Sequence, residues 1–227
     1  MTSTTQRTTL ATEASRALRW GWLAAVLAGV VAPTLSVLWF DAAALALRHG
    51  PIVAMGLMGM GMIAAATTTR FWVGVALALL TGVGLIGLAQ VKGMVTLPHP
   101  ASTGVALLIA SVSFAARGTL FSRAHPHHGW LIAVFVVGGE AATLLTAAWL
   151  PTWLLVLLPA QWASTAIQSS ITGSGMPGAA SVLLALAGTA STTLLAARLL
   201  PRRWPYALMF TVWLALSAVV ARYPATW

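Results

Sequence analysis

One acidic residue lies inside a long apolar segment and is the residue best suited to chemistry. Glu140 follows two glycines about halfway along the segment 129–150. A charged acidic side chain at the centre of a membrane helix costs about 2.5–3.5 kcal/mol on insertion scales, so an intramembrane carboxyl is a functional candidate by default. Glu140 could carry a proton or bind a cation, or it could be a neutral acid that hydrogen-bonds a neighbouring helix. No basic residue is expected at the same depth, so we predict no buried ion pair.

The segment 152–170 carries amide and hydroxyl side chains that could bind a solute. Pro159 interrupts this segment, and its second half is polar. Broken or re-entrant membrane segments often line transport sites. We therefore predict a candidate polar pathway here, formed by Gln161, Ser164, Thr165 and Gln168.

Three histidines in the predicted loop 117–128 could bind a metal ion, since imidazole suits Zn, Cu, Fe or Ni. They are His125, His127 and His128. A closed zinc site usually needs four ligands, and no Asp, Glu or Cys lies nearby to complete one. The alternative is a solvated loop that contacts anionic lipid.

Three methionines occupy one face of a predicted helix. Met55, Met58 and Met62 have the spacing i, i+3 and i+7, which places them on one helix face. Thioether sulfur selects Cu(I), whereas methionine also fills irregular gaps in apolar cores. The glycines between these methionines favour close packing, and contact with a hydrophobic cofactor is a third alternative.

The sequence offers little for catalysis. It has no cysteine, no nucleotide-binding motif and only three acidic residues, which excludes thiolate chemistry and a multi-carboxylate metal centre. We predict no catalytic residues and keep an intramembrane enzyme as the third hypothesis. No cofactor is assigned. The tryptophans near the ends of the apolar segments fit an interfacial belt, or contact with a lipid, a quinone or a pigment.

The composition defines the elements that must position these side chains. Of the 227 residues, 59% are hydrophobic and 7% are charged, whereas soluble domains average about 25% charged residues. This excludes a soluble enzyme, a nucleic-acid-binding domain and a disordered chain. The net charge of +9 then reflects the Lys and Arg bias of cytoplasmic loops, not a nucleic-acid partner. The predicted fold class is all-α, a polytopic integral membrane helix bundle.

Seven apolar segments approach the length of about 20 residues that a membrane helix needs. They are 20–40, 51–68, 71–91, 101–116, 129–150, 179–197 and 204–221. The segment 152–170 has only a short apolar half. We therefore predict seven full spans plus one half-span, or eight spans.

The basic residues favour seven spans. With a cytoplasmic N-terminus, seven spans put nine Lys and Arg residues inside and three outside, whereas eight spans put seven inside and five outside. Cytoplasmic loops carry the excess of these residues. The segment 152–170 is then re-entrant or lies along the outer interface. We expect a bacterial cytoplasmic (inner) membrane.

The predicted domains are a polar N-terminal cytoplasmic segment, 1–19, and a single transmembrane helical domain, 20–227. Small residues recur through the spans and let helices pack closely, and the loops are short. The first functional hypothesis is therefore a non-catalytic subunit or assembly protein of a larger membrane complex. Its partners would be membrane lipid and other membrane subunits or further copies of this chain. The alternative is a proton- or cation-coupled small-solute transporter centred on Glu140.

Overall fold

The computed structural model describes residues 15–40, 42–172, 175–199 and 205–222. These residues are helical nearly throughout, and no strand occurs among them. A π-helical turn at Leu27–Val31 interrupts the first helix, and a 3-10 turn at Ala147–Trp149 follows the fifth. The helices are Ser15–Trp39 (α1), Ala42–Thr68 (α2), Phe71–Val91 (α3), Pro100–Ala124 (α4), Gly129–Leu145 (α5), Thr152–Val156 (α6), Pro159–Thr172 (α7), Gly175–Leu199 (α8) and Pro205–Arg222 (α9).

Five of these helices are long and apolar enough to cross a membrane, so the chain is an all-helical integral membrane protein. The five apolar stretches are Ser15–Trp39, Arg48–Thr68, Phe71–Val91, Pro100–Ala124 and Ala179–Arg198. Two further apolar helices are shorter, at Gly129–Leu145 and Thr211–Arg222. The predicted segment 1–19 and the predicted span 204–221 extend in part beyond the described residues.

Three helices differ clearly from the sequence prediction, and the difference in α4 concerns the site. α5 ends at Leu145, before the predicted limit of Leu150. α2 begins at Ala42, so Pro51 lies inside a helix and not at its start. α4 continues to Ala124, whereas a loop was predicted from Arg117 onward. That loop prediction was wrong because apolar residues resume after Arg117, at Leu120 and Phe121, and keep this stretch buried in the helix.

α2 forms the centre of the bundle and packs against α1, α3, α4, α5 and α7. Glycine allows two of these approaches. The position of a Cβ at Gly118 of α4 would meet the carbonyl of Met62 on α2. On the other side of α2, a Cβ at Gly59 would lie 2.7 Å from the backbone of Gly29 on α1. Small residues in membrane helices permit such close backbone contact.

Contacts between helix ends show which ends are neighbours. At one end of the bundle, here called the Arg123 end, the guanidinium of Arg123 donates a 2.6 Å hydrogen bond to the carbonyl of Ala197. At the opposite end, here called the Thr103 end, the hydroxyls of Thr103 and Ser170 lie 3.2 Å apart. α4 runs from the Thr103 end to the Arg123 end, and α8 also finishes at the Arg123 end.

α6 and α7 form a short helical hairpin whose tip lies inside the bundle. Trp153 of α6 lines a cavity with Val182, near the start of α8 and therefore near the Thr103 end. At the tip, the carbonyl of Leu157 accepts a 2.8 Å hydrogen bond from the indole of Trp213, midway along α9. α7 then returns to the Thr103 end, where Ser170 meets Thr103.

Candidate functional site

A buried ion pair joins α4 to α5. Nη1 of Arg117 lies 3.2 Å from Oε1 of Glu140, and the two side chains are 9% and 11% exposed. The prediction that Glu140 has no basic neighbour was wrong, because Arg117 is part of α4 and not of a loop. Ionisable residues inside membranes commonly pair with one another in this way.

The second oxygen of Glu140 caps the half-helix α7. Oε2 accepts a 2.9 Å hydrogen bond from the backbone N–H of Ala160, the second residue of α7. The first residue, Pro159, has no N–H and is suited to this position. An anionic group at a helix N-terminus is also favoured by the helix dipole. Glu140 therefore connects α4, α5 and α7 through one carboxylate.

Arg117 has further contacts on its own helix. Nη2 donates a 3.3 Å hydrogen bond to the hydroxyl of Ser113. The guanidinium carbon lies 5.0 Å from the centre of the Phe114 ring, within the range of a cation–π contact. Its Nε is buried and has no hydrogen-bond partner. Buried donors without partners are uncommon in proteins, and one way to satisfy such a donor is a bound molecule.

A cavity of about 330 Å³ opens beside the ion pair. This volume lies within the range of small-molecule sites. Its walls come from α4, α5, the α6–α7 tip, α8 and α9. Apart from the ion pair, the lining is Phe121, Ile132, Val136, Leu157, Leu158, Pro159, Thr189, Thr193 and Trp213. The surface that faces the cavity is therefore almost entirely apolar, and the ion pair lies at its edge.

The ion pair contains one group that can take up or release a proton and one that cannot. A carboxylate that takes up a proton loses its charge, whereas an arginine in a protein stays charged. Protonation of Glu140 would therefore weaken its bond to Arg117 and leave a guanidinium facing the cavity.

The four residues of the predicted polar pathway all lie on α7, but they do not form one line. Gln161 and Thr165 line a second cavity, of about 590 Å³, that also contains Trp153. Gln168 instead accepts a 2.8 Å hydrogen bond from the backbone N–H of Gly50 on α2. Ser164 is buried, and its carbonyl faces the same Gly50. The two pairs therefore face different neighbours.

The predicted metal ligands lie in two separate places. His125, His127 and His128 are exposed at the Arg123 end. Met58 and Met62 are fully buried in α2, and Met55 is partly buried. Within the described ranges, no three His, Cys, Asp or Glu side chains are grouped so that they could hold a metal ion.

Sequence reasoning missed Arg117, Ala160 and Trp213 as parts of the site. Two signals could have found Arg117. An acidic residue in a membrane helix needs a partner, and the apolar residues after Arg117 extend the fourth span. The role of Ala160 depends on the hairpin geometry, which the residue pattern does not contain.

Comparisons with family models, with curated proteins and with solved structures found no match to this chain.

Proposed function

We propose that this protein is a proton-coupled transporter of a small solute, with Glu140 as the proton-carrying group. The observation that carries the proposal is the buried Arg117–Glu140 pair at the tip of a half-helix, beside a cavity of about 330 Å³. Transport sites commonly lie near the middle of the membrane, where a discontinuous helix begins.

A proton suits this site better than a metal cation as the coupling ion. Metal cations such as Ca²⁺ and Mg²⁺ need several oxygen ligands. Both oxygens of Glu140 already accept hydrogen bonds, from Arg117 and from Ala160. The positive guanidinium at 3.2 Å would also repel a cation. A proton needs one carboxylate oxygen and replaces only the bond to Arg117.

The proposed topology has seven crossings, with α6 and α7 as a re-entrant hairpin. Its support is the return of α7 to the Thr103 end, where α6 began. In this topology the Arg123 end and the N-terminus face the cytoplasm of a bacterial inner membrane. This orientation agrees with the excess of Lys and Arg that cytoplasmic loops carry. Arg117 is paired inside the bundle and no longer counts among the loop charges. Arg7, Arg202 and Arg203 lie outside the described residues.

Cysteine labelling tests this topology, and the chain has no cysteine of its own. Thr172→Cys, at the exposed end of α7, should react with an impermeant maleimide from the same side as Thr96→Cys. His127→Cys should react only from the opposite side. Reaction of Thr172→Cys from the side of His127→Cys would support eight spans and contradict the re-entrant hairpin.

Proton flux tests the transport function. The purified chain would be reconstituted in vesicles that contain a pH-sensitive dye. We would add benzenesulfonate, benzenesulfonamide or benzylammonium outside, as anionic, neutral and cationic solutes of similar size. At least one should drive proton entry in the wild type, and Glu140→Gln should abolish it. Thr146→Val is the control, since it removes an exposed hydroxyl from the chain just after α5. Absence of proton entry with all three solutes would overturn the proposal.

A second candidate is the non-catalytic subunit of a membrane complex. One observation favours it: Gly84 and Gly87 of α3 have open space where a Cβ would stand, beside the exposed Leu80 and Val83. Small residues on an outer helix face let a partner helix approach. Mass spectrometry after gentle purification from native membranes tests it. Stoichiometric partner chains, a quinone or a pigment would support this role, whereas purification with lipid alone would exclude it.

A further inference from the structure

We propose that the transported solute is a small organic anion with an apolar body. In the structure, Glu140 occupies the place that the charged group of this anion takes during transport. This inference rests on the proposed transport function and names the solute class of the same site.

Both groups that bind Glu140 are binders of anions. The guanidinium of Arg117 reaches one carboxylate oxygen at 3.2 Å, and the N–H of Ala160 reaches the other at 2.9 Å. Guanidinium groups recognise carboxylates and related anions through paired hydrogen bonds. A helix N-terminus adds free N–H groups and a favourable dipole. Together they form an anion site that a side chain of the same protein fills.

The unused donor of Arg117 points to a ligand beyond Glu140. Arg117 lines the cavity, its side chain is 9% exposed, and its buried Nε has no partner. Glu140 and Ser113 account for its other two nitrogens. An anion with two or three oxygens could bind Nε and Nη2 together after Glu140 withdraws, because these two nitrogens form one edge of the planar guanidinium and Nη2 has a second hydrogen besides the one that Ser113 accepts.

The remaining walls describe the body of the anion. They are apolar on α5 and at the α6–α7 tip, with Ile132, Val136 and Leu157 among them. Thr189 and Thr193 line the cavity from α8, with their hydroxyls bonded to carbonyls of the same helix, and Trp213 adds an aromatic ring from α9. A cavity of about 330 Å³ accommodates a single ring or a short chain, since a 150 Å³ apolar cavity already binds benzene.

Charge balance couples the anion to a proton. With Glu140 ionised, its charge and that of Arg117 cancel. When Glu140 takes one proton from water, it becomes neutral, and one anion restores the balance at Arg117. Among the described residues that line the cavity, Arg117 and Glu140 are the charged ones, and α8 and α9 contribute no titratable group. Two further titratable groups, Arg48 and His49 of α2, lie beside Gly50, near Gln168 and the Thr103 end. They are not among the residues that line the cavity.

Calorimetric titration of the purified full-length protein tests the inference with the same three solutes. Benzenesulfonate should bind about tenfold more tightly at mildly acidic than at mildly alkaline pH, because a larger fraction of the protein is then competent. Glu140→Gln should bind it with the high affinity at both pH values. Arg117→Gln/Glu140→Gln should lose at least about tenfold relative to Glu140→Gln.

Benzenesulfonamide that binds Glu140→Gln as tightly as benzenesulfonate would overturn the inference, and so would a preference for benzylammonium. If Glu140→Gln does not fold, the pH dependence of the wild type decides: affinity for benzenesulfonate that does not rise on acidification would overturn the inference.

Phosphatidylglycerol that displaces benzenesulfonate would identify a lipid headgroup as the anion, whereas no displacement would identify a soluble anion. Either source has the proposed chemistry.

The vesicle experiment separates this inference from the transport proposal. Proton entry with benzenesulfonamide or benzylammonium, and none with benzenesulfonate, would leave transport standing and overturn the anion. Binding of benzenesulfonate as described, without proton entry for any solute, would overturn transport and leave the anion site standing.

Discussion

Arg117 and Glu140 stand 23 residues apart in sequence and 3.2 Å apart in space, each almost enclosed by the bundle. Their contact joins α4 to α5, and Glu140 also joins the beginning of α7 through Ala160. The predictions below concern this contact and the packing that holds it.

Removal of one charge should destabilise the protein more than removal of both. An isolated buried charge costs about 3–5 kcal/mol, whereas neutral replacement of a whole pair costs little. We expect Glu140→Gln to lower the free energy of unfolding more than Arg117→Met, because a lone carboxyl can take up a proton and a lone arginine stays charged. The double variant Arg117→Met/Glu140→Gln should be more stable than Glu140→Gln.

Equilibrium unfolding in mixed detergent micelles measures these four proteins as a double-mutant cycle. Gln at position 140 keeps an oxygen for the N–H of Ala160, so the cycle isolates the charges. Effects that simply add would mean that the two charges are not coupled.

Glu140 should react with a hydrophobic carbodiimide, which modifies protonated carboxyl groups inside membranes. In a transporter this carboxyl must be protonated in part of the cycle, so modification should be faster at acidic pH. Peptide mass spectrometry can distinguish the sites, because the only other acidic residues are Glu13 and Asp41. Arg117→Met should react faster, since its Glu140 has lost the ion pair. A Glu140 that reacts in Arg117→Met and never in the wild type would identify a static structural pair.

Gly118→Ala should destabilise the α2–α4 contact. The added methyl would meet the backbone of Met62, which cannot rotate away, and overpacking of this kind costs about 1–3 kcal/mol. Gly104→Ala on the same helix is the matched control, because nothing lies within 4 Å of its Cβ position. Alanine there should stabilise α4 by about 0.5–1 kcal/mol. Thermal unfolding in detergent measures both, and equal melting temperatures would contradict the close contact.

Gln168→Leu should loosen α7 from α2. It removes the acceptor of the 2.8 Å hydrogen bond from Gly50, and such a bond contributes about 0.5–1.5 kcal/mol. Gln161→Leu, on the face of α7 toward the larger cavity, should change stability by less than about 0.5 kcal/mol. Hydrogen exchange at Gly50 should be faster in Gln168→Leu alone. An equal effect of the two variants would show that this hydrogen bond does not anchor α7.

The helical class and some helix limits could be predicted from the sequence, whereas the site could be predicted only in part, for a physical reason. α3 has the predicted limits of Phe71 and Val91, because polar residues border a continuous apolar run. Glu140 was recognisable because a carboxyl in such a run is costly. Arg117 was misplaced because a lone arginine beside a polar stretch also fits a cytoplasmic loop. Its pairing with Glu140 depends on how α4 and α5 cross, which composition and spacing leave open.

α7 links the buried ion pair to the Thr103 end of the bundle. It has 14 residues and is therefore a rod of about 20 Å. Glu140 holds one tip, while Gly50 and Thr103 hold the other. A rigid rod cannot slide at one tip and rest at the other. If the anion takes the place of Glu140 at Ala160, movement of this tip would therefore also move the tip at the Thr103 end, so that binding deep in the bundle would change a surface at its edge.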